Sequence, residues 1–217
     1  MVNMLSQHYA DSFLSHADYL AKSTDEVSAT RFVAGHFGYG YARQFMDDRF
    51  SFTFLREPRE RILSFYNFCR SQPPDLEKIY RVAREHDLDR FLELGFEDTL
   101  VRDCIYNHQV WQLASGWADP GGALLDKYRP EQMLRDALSN TRSLSSVGIV
   151  ADIDRDFRSV LQQLKLPDAG KLPWKNKGDS AAVNRVLSAR TRQRLDRLVE
   201  LDESFYRTVI DWRRAKP

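Results

Sequence analysis

An α/β fold, with a parallel β-sheet covered by helices, is predicted by two features of the sequence. Short segments that are apolar on both faces alternate with segments whose apolar residues recur at helical spacing, and FSFTFL at 50–55 is the clearest of the former. The 217 residues also show no internal repeat, no low-complexity tract and no linker, so a single domain spanning 1–217 with its own core is expected.

Residues 2 to 9 read as a helix with Val2, Leu5 and Tyr9 on one face, yet no capping residue can precede Met1. SFLSHAD is a short strand candidate, Asp25 to Ala29 is polar, and TRFVAGHF reads as a second strand ending in glycine. GYGYARQFM reads as a turn opening a short helix before the strand FSFTFL. Pro58 suits the first turn of the next helix, where its missing N–H costs nothing, and Ile62, Phe65, Tyr66 and Cys69 give that helix its apolar side.

SQPPD ends this helix; a polar connection and the helix DLDRFLELG follow, with Gly95 as the expected C-terminal cap. DTLVRDCIYNHQVWQLASG reads as one long helix closed by Gly116, and YRP leads into the helix EQMLRDALSNTR. SSVGIVA is a late strand, and DIDRDFRSVLQQLKL a helix whose acidic opening suits its dipole. PDAGKLPWKNKGDS is irregular, and the tail returns to helix with Leu195, Leu198, Phe205, Val209 and Trp212 as its apolar stripe.

Charge and composition narrow the function classes. Lys and Arg number 32 against 31 Asp and Glu, a net +1, so no bulk field recruits nucleic acid or an anionic membrane, and any anion site must be local. Cys69 and Cys104 form neither a CxxC pair nor a disulfide framework and read as small buried hydrophobes in a reducing compartment. No apolar run approaches the ~20 residues of a membrane span, and MVNMLSQHYADSF lacks the pattern of a signal peptide. A cytoplasmic location is expected.

In parallel sheets ligands bind at the carboxyl ends of strands, which singles out Gly35-His36, Arg56 and the loop after Val150. A guanidinium fork at Arg56 can grip two phosphate oxygens, and the hydroxyl of Ser64, eight residues on, can donate another bond. Local pairing of Arg56 with Glu57 or Glu60, with Ser64 as helix filler, is the plain alternative. His36 has the chemistry of a general base near neutral pH, or is a half-exposed turn histidine.

Lys177 and Ser180, in the loop WKNKGDS, are candidates to fold over a nucleotide's phosphate or base. Arg59, Arg61 and the arginines from 185 to 197 read as solvated helix faces, and His108 as a surface or core-edge residue beside Asn107 and Gln109. His8, His16, His86 and His108 lack metal-ligand spacing, so no metal site is expected.

TFLREPRERILSFYNF resembles the segment of sulfotransferases that binds the 3′-phosphate of 3′-phosphoadenosine 5′-phosphosulfate: a strand, then Arg-Asp-Pro, then a helix containing serine. Here it reads Arg56-Glu57-Pro58 with Ser64. The closest likeness is to the carbohydrate branch, which includes heparan sulfate 2-O-sulfotransferases and bacterial relatives. AGHFGYG is similar to the family's Gly-His segment, whose histidine accepts the proton of the sugar hydroxyl.

YNHQVWQLASG, ALSNTRSLSSVGIVADIDRDFRSVLQQL and LVELDESFYRTVI are similar, in order, to the family's mid-chain helix, its late strand and helix, and its C-terminal helix. The likeness covers roughly residues 5 to 212. It implies a P-loop-NTPase-like fold, a three-layer parallel sheet flanked by helices. The activity it implies is sulfuryl transfer from that nucleotide to a hydroxyl, with a carbohydrate as the expected acceptor, adenosine 3′,5′-bisphosphate as product and no metal. The implied roles are His36 as base, Arg56 and Ser64 on the 3′-phosphate, and Lys177 and Ser180 as further cofactor contacts.

One departure is large. The family's first strand, normally central, and its lysine-bearing loop for the 5′-phosphosulfate have no counterpart here, and MVNMLSQHYADSF resembles the helix that would follow them. The expectation is a fold missing its first strand, either because the start is internal to a longer gene product or because the chain is a natural remnant. The alternative function is then an inactive remnant or binding module that keeps a 3′-phosphonucleotide or glycan site.

Overall fold

The computed structural model describes residues 1–15, 18–119, 124–168, 170 and 187–215, apart from the side chain of residue 126. These residues form two compact units, one from the described parts of Met1–Phe54 and Trp111–Leu172, the other from those of Leu55–Val110 and Pro173–Pro217. The class is α/β, mostly helical, with two small parallel sheets of two strands each.

The first unit carries the four strands of the described residues, apart from Leu55 at the end of β3. β1 (Phe13–Ser15) pairs with β2 (Phe32–Ala34) in parallel register, Phe13 beside Phe32 and Ser15 beside Ala34. Ser12 extends this pairing by accepting the Arg31 N–H at 2.8 Å. β3 (Phe52–Leu55) pairs with β4 (Ser146–Ile149). Their starts are tied by two serines: the Ser51 N–H donates to Ser145 Oγ at 3.1 Å and the Ser145 N–H to Ser51 Oγ at 3.2 Å.

Helices α1 (Val2–His8) and α10 (Ile153–Gln163) supply one apolar cluster under both sheets. Leu5, Phe157, Val160 and Leu161 are its buried centre, and Phe32 of β2 with Phe52 and Phe54 of β3 pack against it. Yet Phe13, Leu14, Phe32, Val33, Phe52 and Phe54 all remain half-buried, although strands apolar on both faces belong to sheets covered on both sides. Gly148 of β4 lies against the Phe54 ring, where any side chain would overlap it. The unit also holds α2 (Thr24–Ala29), α3 (Tyr39–Ala42) and α9 (Pro130–Ser143). α2 arises in the polar stretch because Ser23 and Glu26 form a capping box.

The second unit is helical: α4 (Pro58–Ser71), α5 (Lys78–Glu85), α6 (Leu88–Glu97), α7 (Thr99–Ile105), α11 (Ala189–Leu198) and α12 (Glu200–Ala215). Its core joins Ile62, Phe91, Leu92, Val101, Ile105, Leu195 and Leu198, all inaccessible to solvent. α5 occupies the stretch expected to be a polar connection. Gly95 caps nothing: α6 runs through it to Glu97, and a Cβ there would meet Ile105 Cδ1 at 2.7 Å and Leu198 Cδ2 at 2.9 Å. Glycine is required for close packing of helices, not for a turn.

The helix expected over DTLVRDCIYNHQVWQLASG is two helices, α7 and α8 (His108–Ala114). Asn107 breaks it, with a left-handed φ of 43°, a conformation that asparagine tolerates better than most residues. The tail is likewise two helices, with Leu195, Leu198, Phe205 and Val209 buried as expected.

Candidate functional site

Arg56 directly follows the carboxyl end of β3, and α4 begins two residues later with Pro58 in its first turn. Glu57 caps α4, accepting the Glu60 N–H at 2.6 Å. The backbone of Arg56 is held on both sides by one side chain. Its N–H donates to Gln109 Oε1 at 2.9 Å, and Gln109 Nε2 donates to its carbonyl at 3.0 Å.

The side chain of Arg56 is less fully engaged. Its Nε lies 4.0 Å from Glu60 Oε2, at the limit of an ion pair, and is buried with no hydrogen-bond acceptor among the described residues. One turn on, Arg61 donates Nη2 to the Cys104 carbonyl at 2.9 Å, while its Nη1 is buried and likewise without an acceptor. Burial pulls the Arg61 pKa down, Asp202 and Cys104 oppose this, and the neighbouring Arg56 cation adds to it. Two guanidinium groups close enough to repel one another thus each keep an unmet buried N–H.

Arg61 was expected on a solvated face, and the structure corrects this, because α4 turns it inward toward α7. Arg59 is also engaged, at 2.7 Å from Asp196 and 2.5 Å from Glu203. Arg194, expected to be solvated, is buried against Asp89 and Glu93. Ser64 is half-buried on α4, and its hydroxyl makes no hydrogen bond among the described residues.

A buried polar network lies behind Arg56. Asp202 of α12 accepts the Val110 N–H at 2.8 Å and the Gln109 N–H at 3.4 Å, closing the N-terminus of α8. Asn107 Oδ1 in turn accepts the N–H groups of Leu201 at 2.9 Å and Asp202 at 3.2 Å, closing the first turn of α12. Burial pushes the Asp202 carboxyl up to about 6, against the downward pull of the Val110 N–H and the Arg61 cation. His108, expected at a surface or core edge, is buried, with Nδ1 2.7 Å from the Asp103 carbonyl.

In the strand-bearing unit His36 stands two residues beyond β2 and is exposed, and its carbonyl accepts from Gln112 Nε2 at 2.7 Å. The glycines after it have a structural use. The Gly38 N–H donates to the Trp117 carbonyl at 3.0 Å and the Gly40 N–H to the Ser115 carbonyl at 2.9 Å. A Cβ on Gly38 would overlap the Ser115 carbonyl and the Gly116 Cα, and Gly116 itself has φ of 81°. Two backbones cross here at a distance only glycine allows. Lys177 and Ser180 lie outside the described residues. Among the described residues, no three His, Cys, Asp or Glu side chains gather as metal ligands do, and no helix is long and apolar enough to cross a membrane.

The sequence singled out Arg56, Ser64 and His36 but not Gln109, Asn107, Asp202 or Arg61. A signal for the first two was present: Asn-His-Gln at 107–109 interrupts an otherwise apolar run. Compared with known proteins, the chain matches no family model, no curated protein and no solved structure.

Proposed function

We propose that this chain belongs to a sulfotransferase that moves a sulfuryl group from 3′-phosphoadenosine 5′-phosphosulfate to a hydroxyl, with a carbohydrate as acceptor. The observation that carries the reading is the pair of unmet, buried guanidinium N–H groups on Arg56, which follows β3, and on Arg61, in the first turns of α4. Buried donors without partners cost free energy, and two adjacent cations repel, so an anion received there relieves both penalties. A 3′-phosphate has the charge and the acceptor geometry, and Ser64 has an uncommitted hydroxyl on the same helix. The ordered resemblance of the segments supplies the identity of the nucleotide and the role of His36.

In the reaction, the acceptor hydroxyl gives its proton to His36 as its oxygen bonds to sulfur. The bond from sulfur to the 5′-phosphate oxygen breaks, and adenosine 3′,5′-bisphosphate leaves with that electron pair. The finer fold we assign is the P-loop-like three-layer sheet lacking its middle strand. In this reading the two sheets are halves of one, with β2 and β3 as the facing edges of the gap. Their half-buried aromatic residues and shared support from α1 and α10 favour it. We place the protein in the cytoplasm, acting without nucleic acid or metal.

The second reading, a binding module or remnant without chemistry, is favoured by the same division of the sheet. A strand and anion loop missing from the centre would remove transfer, since each preorganised donor contributes on the order of 10²–10³ in rate. Calorimetry with adenosine 3′,5′-bisphosphate tests the site. Arg56→Ala is expected to weaken binding at least about 30-fold, and unchanged affinity removes the assignment. A sulfate-transfer assay on this chain beside one extended by the sequence encoded upstream of Met1 separates the readings. Transfer by the extended chain supports the enzyme, and transfer by neither supports the module.

A further inference from the structure

We propose that Gln109 is a positioning residue that fixes Arg56 for 3′-phosphate recognition without touching the ligand, an inference that rests on the reading of Arg56 given above. The carboxamide of Gln109 uses both its ends on the two backbone polar groups of this single residue, at 2.9 and 3.0 Å. Such a two-point contact holds the Arg56 peptide groups where the strand has ended and α4 has not begun. It limits the φ and ψ of Arg56, and so the direction in which its side chain leaves the backbone.

The clamp is effective only if Gln109 itself is immobile, and the fold provides for that. Gln109 is buried, and Asp202 binds its N–H and that of Val110. Asp202 is held in turn through its own N–H by Asn107, whose left-handed backbone places its side chain over the start of α12. Each helix start is therefore capped by a residue at the start of the other. Fixity passes from this reciprocal pair of caps to Gln109, and from Gln109 to the Arg56 backbone. A polar residue buried merely for packing would need partners, but not both backbone groups of a residue whose side chain retains an unmet buried N–H.

The test is a comparison of two nucleotides by calorimetry on the full chain. Adenosine 3′,5′-bisphosphate carries the phosphate that Arg56 would hold, and adenosine 5′-monophosphate does not, so the ratio of their affinities reads the 3′-phosphate contact alone. Gln109→Met keeps length and volume but neither hydrogen bond. It is expected to lower the ratio about five- to tenfold, with monophosphate affinity unchanged, and to add nothing on an Arg56→Ala background. Equal weakening for both nucleotides, or no change for either, overturns the positioning role. If Arg56→Ala itself leaves the ratio unchanged, the underlying reading of Arg56 fails instead. Gln109→Asn, which keeps the amide but is one methylene too short to span both groups, carries the same comparison should the methionine variant not fold.

Discussion

The helical unit and the strand-bearing unit satisfy their backbones by different means. A helix closes its own hydrogen bonds, so α4, α6, α7 and α11 can pack through their apolar faces, and the centre of their core is closed to solvent. A strand depends on neighbours at both edges. With three or four residues each and one partner each among the described residues, β1 to β4 leave most of their side chains half-buried. Local self-sufficiency closes the helical region, while among the described residues the strands keep unpaired edges.

The contrast is broken most severely where the strand-bearing unit packs backbone directly against backbone. At the crossing of Gly38 with Ser115 and Gly116 the obstacles are backbone atoms, which cannot rotate away. Gly38→Val is expected to destabilise by about 4 kcal/mol in urea unfolding. A variant with wild-type stability would mean that the crossing is not closed.

The helical unit is sharpened by pH. Burial raises the Asp202 carboxyl to about 6 from an ordinary value of 3.8, beside the Arg61 cation and the Glu203 carboxyl. The folded chain therefore holds this proton more tightly than the unfolded chain does. The resulting contribution to stability is full below about pH 4 and is lost as pH rises to about 6, after which it is flat. The stability of wild type relative to Asp202→Asn should fall across that window by up to about 3 kcal/mol. A difference independent of pH, measured by denaturation from pH 4 to 7, would mean that the carboxyl titrates normally.

The smallest effect separates conformation from capping. Asn107→Ala is expected to cost about 2 kcal/mol, through loss of the cap and the strain of φ 43° on an alanine. Asn107→Gly should recover roughly half of this, since glycine accepts the dihedral but not the cap. Equal melting temperatures for the two variants would assign the whole cost to the cap.

The strands were legible because their signal is local: FVA, FTFL and SVGI are short apolar or β-favouring runs between turns, and each forms where expected. α5 was not legible, because four of its eight residues are charged and only Ile79 and Ala83 are buried. The break between α7 and α8 was hidden for a different reason. Asn107 leaves the helical conformation to serve residues 201 and 202, more than ninety positions away. Gly95 was misread because the local rule for helix ends ignores Ile105 and Leu198, which set its real requirement. At the candidate site, Arg56 and Ser64 stood out by their place after a strand and within a helix, and only the resemblance proposed a 3′-phosphate role for them. Gln109 was not, because its importance lies in the backbone it holds.

By itself the sequence determined the α/β class, the order of strands and most helices, and the segment on which an arginine follows a strand, all set by periodicity and local turn chemistry. Only the tertiary structure decided that Arg61 and Arg194 turn inward, that Asn107 and Asp202 cap each other's helices, and that the four strands form two separate pairs. Those outcomes depend on which distant groups come within hydrogen-bonding or van der Waals reach, and residue order alone carries no record of that distance.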